Sequence, residues 1–268
     1  MIVIEKSNRG DVVTLTLKRP EKRNALNQRL VSELTSVVES LSLDESVRII
    51  VLTGSGNTFS SGADLQALEQ MQTASYEENL DDSKKLADLY TTIRSCSQPV
   101  IAKVNGHAIA GGFGLVTACD FAVADERAKM GFTEVKIGFI PAIVMTFLRS
   151  RIPDLAVRDL LLTGRLISAQ DALNLGLVSR VVDGARIDET VNDIADNIIR
   201  ETSREAVAAT KRMLFETEYL NMRDALAIGV ERNATVRASK DCQAGIRSFL
   251  NRDDPPWKTA FDNNQIRD

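Results

Sequence analysis

The chain has 268 residues, of which 44% are apolar and 26% charged, and this near-average composition excludes a disordered or fibrous protein. With 33 basic and 37 acidic residues the net charge is −4, so no overall charge attracts the chain to nucleic acid or to an anionic membrane. The length is sufficient for one large or two small domains with a substantial core.

The cysteine and histidine counts narrow the chemistry further. Cys96, Cys119 and Cys242 are far apart and odd in number, which favours buried thiols over a disulfide framework or a metal site. The sequence has no run of the ~18 apolar residues that a membrane-spanning helix needs and no leader-like segment, so we expect a reduced, cytoplasmic setting. The single histidine is His107, and acid–base chemistry is therefore expected mainly from carboxylates or backbone dipoles.

Strands are predicted to alternate with helices through the first two thirds of the chain, which is typical of an α/β protein. An alternating strand over residues 12–17 precedes a helix whose apolar face repeats at steps of three and four over 26–41. A second amphipathic helix is indicated at 86–93. Three continuous apolar runs are typical of buried strands, at residues 47–53, 99–104 and 121–124.

The pattern changes near residue 198. Beyond it, residues 203–219 and 223–250 have helical periodicity without strands, so we divide the chain into an α/β core over 1–198 and a helical region over 199–268. Ser168 to Asp171 is predicted to form a capping box at the start of a helix. The two aspartates and two prolines at 253–256 are expected to end the ordered part, leaving the last dozen residues as a tail.

Three segments carry residues suited to chemistry. Residues 59–65 (FSSGADL) and 105–114 (NGHAIAGGFG) each follow a predicted buried strand, and residues 132–135 (FTEV) place Glu134 beside apolar neighbours. Two glycine loops on neighbouring strands can aim two backbone N–H groups at one oxygen, which is how an oxyanion hole is built. Ordinary tight turns would explain the same glycines. The spacing matches neither a dinucleotide-binding fingerprint nor a phosphate-binding P-loop.

Taken together, the three segments resemble the enoyl-CoA hydratase/isomerase family, also called the crotonase family. The resemblance covers most of the chain, from the residues 23–27 (RNALN) to 162–164 (LTG) and on to the helical end. It implies an α/β fold, a crotonase-like spiral of ββα units with a C-terminal helical region that mediates trimer formation. A homotrimer or a homohexamer of two stacked trimers is the implied assembly.

The resemblance also implies a substrate held as a coenzyme A thioester, with the backbone amides of Ala63 and Gly111 holding the thioester oxygen. The positions that line the coenzyme A groove in the family are matched here by Ala25, Leu26, Ser61, Asp64, Leu65, Phe249 and Arg252. For Phe249, packing in the core is an equal alternative, and for Arg252 a solvated surface charge. Coenzyme A is part of the substrate, and neither a separate cofactor nor a metal is implied.

Hydratases of the family use two glutamates, whereas this sequence matches only one of them. The first position is occupied by Gly114 and the second by Glu134. Burial is expected to raise the pKa of Glu134 toward the range useful for acid–base catalysis, and a surface glutamate at a strand end is the alternative. Hydration of a 2-enoyl-CoA is the first interpretation. Because one carboxylate can move a proton between carbons, isomerisation of an enoyl thioester is the second.

The sequence also supports expectations about the subfamily, two structural side chains and binding partners. Gly114 and the run 134–142 look like bacterial sequences classed as methylglutaconyl-CoA-type hydratases. His107 is expected to have a structural hydrogen bond and Asp120 to brace a turn. Some relatives of the family bind RNA, so a non-catalytic RNA-binding module is the alternative of another class. The net charge of −4 weighs against it, and no nucleic-acid or membrane partner is expected.

Overall fold

The computed structural model of the chain describes residues 1–7 and 10–265. They form a mixed α/β fold of two sheets covered by helices. The strands in chain order are β1 (Ile2–Lys6), β2 (Val12–Leu17), β3 (Ile49–Gly54), β4 (Thr58–Ser60), β5 (Val100–Val104), β6 (His107–Ile109), β7 (Phe121–Asp125), β8 (Lys129–Gly131), β9 (Ile167–Ser168) and β10 (Arg180–Val182). The helices of the first two thirds are α1 (Gln28–Leu43), α2 (Leu65–Met71), α3 (Tyr76–Ser95), α4 (Gly111–Ala118), α5 (Ala142–Arg151), α6 (Asp154–Thr163) and α7 (Ala169–Asn174). The C-terminal helices are α8 (Ile187–Glu201), α9 (Arg204–Thr217), α10 (Met222–Arg237), α11 (Lys240–Asn251) and α12 (Pro256–Gln265).

The larger sheet has the strand order β1-β2-β3-β5-β7-β10, and only the β1–β2 pair is antiparallel. All four strands predicted from apolar patterns, β2, β3, β5 and β7, are confirmed and lie side by side in it. Every residue of β3 is buried, as expected where helices cover both faces of a parallel sheet. β1 was not predicted from the sequence, because three of its five residues are exposed at the sheet edge and have no buried face to reveal them.

The smaller sheet has the strand order β4-β6-β8-β9, in which β4, β6 and β8 run parallel. Each of these three strands has only three residues, too few for a periodic pattern, and none was predicted. The segment 105–114 follows the long strand β5 directly, as predicted, whereas β4 lies between β3 and the loop of the segment 59–65. The glycine loops themselves come after two of these short strands. They follow β4 and β6. Phe113 and Phe132 stack with ring centroids 4.8 Å apart in the core beneath this sheet.

The first predicted helix begins later than its apolar repeat suggested. Asn27 caps α1 by accepting a hydrogen bond from the Leu30 amide at 2.9 Å, and Leu26 lies outside the helix in a bridge with Ala63. The predicted capping box between Ser168 and Asp171 is confirmed at the start of α7. A second capping box starts α3.

The C-terminal part is helical, as the pattern predicted, but the stretch 223–250 is two helices, α10 and α11, because Ser239 ends the first stretch and caps α11. The boundary near residue 198 stays a prediction, since α8 runs across that position and ends at Glu201. α9 is tied to the core by Lys211, whose buried Nζ donates to the carbonyls of Ile93 (3.0 Å) and Gln98 (2.8 Å) and to the Asp120 carboxylate (2.6 Å). Over the two described ranges, no helix combines the length and apolar character that crossing a membrane requires.

The predicted C-terminal tail was wrong for most of its length. Residues 256–265 form α12, which packs on α8 with Phe261 only 6% exposed. An ion pair between Arg200 and Asp262, with 2.8 Å between Nε and Oδ1, fastens the same two helices. The two prolines open this helix instead of ending the order, because a first turn tolerates proline. The last three residues of the predicted tail, 266–268, lie outside the described part.

Candidate active site

The three chemical segments meet at one edge of the smaller sheet. β4, β6 and β8 are parallel neighbours, so their carboxyl ends lie on the same side. Ala63 lies in the loop after β4, Gly111 opens the helix after β6, and Glu134 follows β8 by a short turn. Three strands that were too short to be predicted thus bring the three segments to the same edge of the sheet.

The first loop leaves the Ala63 amide available. Leu26 donates its N–H to the Gly62 carbonyl (2.7 Å) and accepts from the Asp64 amide (2.9 Å), holding the loop on either side of Ala63. Among the residues that the structure describes, nothing accepts a hydrogen bond from the Ala63 N–H, and the residue is exposed. An unpaired exposed amide between two fixed ones is suited to donate to a ligand.

The second loop contains a strained residue. Ala110 has φ 49° and ψ −124°, a combination that a non-glycine residue adopts only at a cost of about 1–3 kcal/mol. Its amide donates to Gly131 at 2.7 Å and its carbonyl accepts from Gly114 at 3.0 Å, so both sides are fixed. The next amide, that of Gly111, starts α4 and has no acceptor within residues 1–7 and 10–265.

The two loops are in direct contact. Gly62 has φ +84°, and a Cβ placed on it would lie 2.8 Å from the Ile109 carbonyl oxygen and 3.4 Å from the Gly111 nitrogen. Only glycine permits this approach. The two unpaired amides, of Ala63 and Gly111, therefore belong to adjoining backbone segments, which is the arrangement that an oxyanion hole requires.

Glu134 supplies a carboxylate at this edge that no ion pair engages in the described residues, unlike Asp64. It begins a 3₁₀ turn over Glu134–Ile137 and is half-buried, with Oε2 buried and without a partner in the described part of the chain. Burial raises the pKa of Glu134 above its ordinary value, and a backbone hydrogen bond opposes this only in part. The apolar residues that follow, Ile137, Phe139 and Ile140, are exposed. The expected shift in the pKa of Glu134 is thus present, together with an apolar surface beside the carboxylate.

Position 114 is enclosed by a residue that the sequence analysis did not single out. A Cβ on Gly114 would lie 2.5 Å from the hydroxyl oxygen of Tyr90. Tyr90 is 2% exposed, donates from that hydroxyl to the Gly111 carbonyl at 2.8 Å and packs edge-on against Phe147. In the sequence it is one more member of the apolar face of α3, and no local pattern shows that its hydroxyl reaches the second loop.

Five of the predicted groove residues come together. The segment containing Ala25 and Leu26 runs along the loop containing Ser61, Asp64 and Leu65, with Leu26 paired to that loop. Ser61 donates its amide to the Arg23 carbonyl at 3.0 Å, and Leu65 is 81% exposed. Their contact with coenzyme A stays a prediction.

The Asp64 side chain is already engaged within the fold. Its carboxylate accepts from Arg19 at 2.6 Å and from the Gln66 amide at 2.9 Å, capping α2, and both members of the ion pair are buried. Burial alone would raise the pKa of Asp64, but the hydrogen bonds from Arg19 and Gln66 outweigh it and lower that pKa. Arg19 was not predicted as the partner of Asp64, because it lies 45 residues away along the chain.

Phe249 and Arg252 lie in a different layer of the molecule. Both are at the end of α11, whose neighbours are α9 and α10, and Phe249 is 82% exposed. Packing of Phe249 in the core of the single chain, the alternative left open by the sequence, is wrong. Arg252 has φ 62° and ends α11. Their predicted part in closing over the adenine end of coenzyme A stays a prediction.

The remaining expected roles are structural. His107 accepts from the Lys129 amide through Nδ1 at 3.0 Å, and Asp120 accepts from the Val100 amide at 2.7 Å, so both predictions are confirmed. Cys96 and Cys119 are buried free thiols as expected, whereas Cys242 is only partly buried. Across the described ranges, no three His, Cys, Asp or Glu side chains gather where they would hold a metal ion.

The fold and the convergence of two amides and a carboxylate define the class of protein. The family model for enoyl-CoA hydratase/isomerase matches residues 7–260, and the chain belongs to this family of enzymes that bind acyl-CoA thioesters. The resemblance found in the sequence is thereby confirmed, and so is the crotonase-like fold with its C-terminal helices.

Individual relatives are similar along nearly their whole length. A Thermus thermophilus protein, named provisionally as an enoyl-CoA hydratase, is 38% identical over 95% of this chain and 99% of its own. The 2,3-dehydroadipyl-CoA hydratase of Escherichia coli is 32% identical over 96% and 98%. The crystal structure of an enoyl-CoA hydratase from Mycobacterium smegmatis superposes with a TM-score of 0.90 at 32% identity, covering 96% of this chain and 98% of that one.

Proposed function

We propose that the enzyme hydrates a 2-enoyl-CoA thioester. The adjoining unpaired amides of Ala63 and Gly111, beside the raised pKa of Glu134, carry this proposal. The amides hold the thioester oxygen and stabilise the negative charge that develops on it. One such donor contributes roughly a hundred- to a thousandfold to the rate. Glu134 moves the proton.

The proposed reaction balances with a single carboxylate. Glu134 removes one proton from a water molecule as the oxygen forms a bond to the β-carbon. The electron pair of the carbon–carbon double bond moves toward the thioester oxygen, giving an enolate held by the two amides. Glu134 then returns the proton to the α-carbon. Coenzyme A is part of the substrate in this scheme, which calls for no separate cofactor.

The test uses crotonyl-CoA and the loss of its conjugated enoyl-thioester absorbance. We expect Glu134→Gln to lower kcat at least ~100-fold, since general acid–base catalysis contributes about 10²–10⁴. Coenzyme A binding should be unchanged. The matched control is Glu126→Gln, an exposed glutamate in the turn after β7, which should leave the rate unaltered. Full activity of Glu134→Gln would remove Glu134 from the mechanism.

Isomerisation of an enoyl thioester is the second candidate, and one observation favours it. Position 114 is glycine and the space beside it is filled by Tyr90, so one of the two glutamates that water addition in the family uses has no counterpart here. A shift of the double bond needs only one base and the two amides. If crotonyl-CoA is not consumed while a 3-enoyl-CoA is converted to the conjugated isomer, this candidate replaces hydration.

The identity of the acyl group and the assembly are proposed more broadly. The likeness of residue 114 and the run 134–142 to methylglutaconyl-CoA-type hydratases supports a branched acyl group as one candidate. A homotrimer or homohexamer is supported by the C-terminal helices, where Met222, Leu226 and Val230 are exposed along α10. The free cysteines support a cytoplasmic setting.

A further inference from the structure

Tyr90 occupies the space that a side chain at position 114 would need. A Cβ on Gly114 would lie 2.5 Å from the Tyr90 hydroxyl oxygen and 2.8 Å from Cζ of its ring. Real Cβ atoms do not approach other atoms so closely. A glutamate at 114 would therefore require the Tyr90 side chain to move from this position. The Tyr90 hydroxyl thus occupies the space beside position 114, where the side chain of a second glutamate would begin.

The hydroxyl is held in place and still has capacity to accept. It donates to the Gly111 carbonyl at 2.8 Å, and a phenol oxygen retains acceptor lone pairs when its proton is used. The ring stays fixed independently of the hydroxyl, because it packs against Phe147 with centroids 5.7 Å apart at 77°. The oxygen thus has one defined position beside the residue whose amide opens α4.

Glu134 lies near enough to Tyr90 for its negative charge to act on the phenol. Burial and then the negative charge of Glu134 raise the pKa of Tyr90, so the phenol stays protonated while Glu134 is ionised. The buried Oε2 of Glu134 has no partner in the part of the chain that is described. A carboxylate oxygen and a phenol oxygen, each with unused capacity to accept a hydrogen bond, therefore lie in the same part of the structure.

We propose that Tyr90 is a further catalytic residue of the hydration reaction, accepting a hydrogen bond from the water molecule that Glu134 deprotonates. This inference rests on the proposed hydratase function. One proton of the water passes to Glu134 and on to the α-carbon, while the oxygen bonds to the β-carbon. The other proton stays on the product hydroxyl and points to Tyr90 throughout. Tyr90 itself neither gains nor loses a proton.

The experiment compares two reactions of the same enzyme. Tyr90→Phe keeps the ring and removes only the oxygen. We expect it to lower kcat for crotonyl-CoA hydration roughly 10- to 100-fold with KM nearly unchanged, the effect of losing one hydrogen bond to the reacting water. Exchange of the α-protons of butyryl-CoA in deuterated water needs Glu134 and the two amides but no water at the β-carbon. That exchange should change less than about threefold.

The matched control is Tyr76→Phe, an exposed tyrosine at the start of the same helix, which should alter neither reaction. Equal losses of hydration and exchange in Tyr90→Phe would show that Tyr90 only supports the Gly111 loop and would overturn the inference. Unchanged hydration would overturn it too, while leaving the hydratase function intact. A wild-type enzyme that exchanges α-protons without hydrating crotonyl-CoA or a branched 2-enoyl-CoA would refute both proposals.

A second pair of variants covers the case in which Tyr90→Phe folds poorly. Tyr90→Ala opens the space at position 114, and adding Gly114→Glu places a carboxylate there. We expect the double variant to hydrate crotonyl-CoA at least ~10-fold faster than Tyr90→Ala alone, because the second acceptor for water is restored. Gly114→Glu without the change at Tyr90 should disrupt the loop. No recovery in a folded double variant would count against the role assigned to Tyr90.

Discussion

Ala110 places a β-carbon in a backbone conformation that glycine adopts more easily. Its φ of 49° with ψ of −124° lies directly before the Gly111 amide, and hydrogen bonds on both sides hold it there. Strain of this kind persists where the surrounding structure imposes it, and it is concentrated at functional sites. The direction of one proposed oxyanion donor therefore depends on a single strained residue.

We expect Ala110→Gly to stabilise the protein by up to about 1 kcal/mol, the relief of strain less the entropy of a new glycine in the unfolded chain. Hydration activity should be retained. The measurement is urea unfolding followed by circular dichroism. Ala108→Gly is the matched control: Ala108 is fully buried in β6, and its change should destabilise by about 1 kcal/mol. A loss of stability in Ala110→Gly would show that the packing of the Ala110 methyl group stabilises the fold by more than the backbone strain costs.

At the scale of elements, a buried ion pair joins the loop before α1 to the start of α2. Arg19 donates to Asp64 at 2.6 Å and to the Ala25 carbonyl at 2.6 Å, with both charged side chains less than a tenth exposed. Asp64 is next to Ala63, so the pair fixes the loop that carries the first amide. Breaking a buried pair leaves an uncompensated charge, which is more costly than losing an exposed one.

We expect Asp64→Asn to lower the free energy of unfolding by about 3 kcal/mol, since the Arg19 charge stays buried. Asp159→Asn is the control, because its pair with Arg165 is roughly half-exposed and should contribute at most about 1 kcal/mol. The pKa of Asp64 is lower when folded than its ordinary 3.8, so the unfolded carboxyl takes up a proton first as pH falls. The stabilisation is then present above the ordinary value and is lost as pH falls through the lower folded pKa.

Acid unfolding of the wild type and Asp64→Asn checks the sign of this linkage. The difference in stability between the two proteins should be greatest near neutral pH and should shrink below pH ~4. A difference that grows on acidification would contradict the assignment of a lowered pKa to Asp64.

At the scale of the whole molecule, the C-terminal helices expose an apolar face. α10 has 16 residues and none is buried in the single chain, although Met222, Leu226 and Val230 are 79%, 62% and 70% exposed along it. With Met213 and Leu220 they border an open groove of about 860 Å³. Contiguous apolar surface of this kind marks an interaction site. It supports the proposed assembly of several copies.

We expect Val230→Asp to shift the protein toward smaller species in sedimentation velocity, because a charge in an apolar contact must be desolvated. Leu43→Asp is the control, since Leu43 is 84% exposed at the end of α1, away from that groove. An unchanged sedimentation coefficient for Val230→Asp would place any interface elsewhere.

The alternative of another class, a non-catalytic RNA-binding module, predicts binding to RNA that weakens as the salt concentration rises. A filter-binding titration at two salt concentrations tests it.

Composition, apolar patterns and paired motifs in the sequence determined a good part of this protein. The long strands β3, β5 and β7 were predicted because burial on both faces leaves a continuous apolar run, and β2 because one face is more deeply buried than the other, which leaves an alternating one. The family, and the positions of Ala63, Gly111 and Glu134, followed from two motifs at a characteristic separation. The same motifs showed that Gly114 occupies a position where hydratases of the family have a glutamate.

Tertiary structure alone decided how those positions meet. Strands of three residues have no readable period, so the small sheet that aligns the three segments was not predictable. The helix α12 was not predicted in the expected tail because it is stabilised by packing on α8, a contact that the local sequence does not encode. The Arg19–Asp64 pair and the Tyr90 hydroxyl beside Gly114 join residues 45 and 24 positions apart. Such contacts depend on where the backbone returns, and only the folded chain determines that.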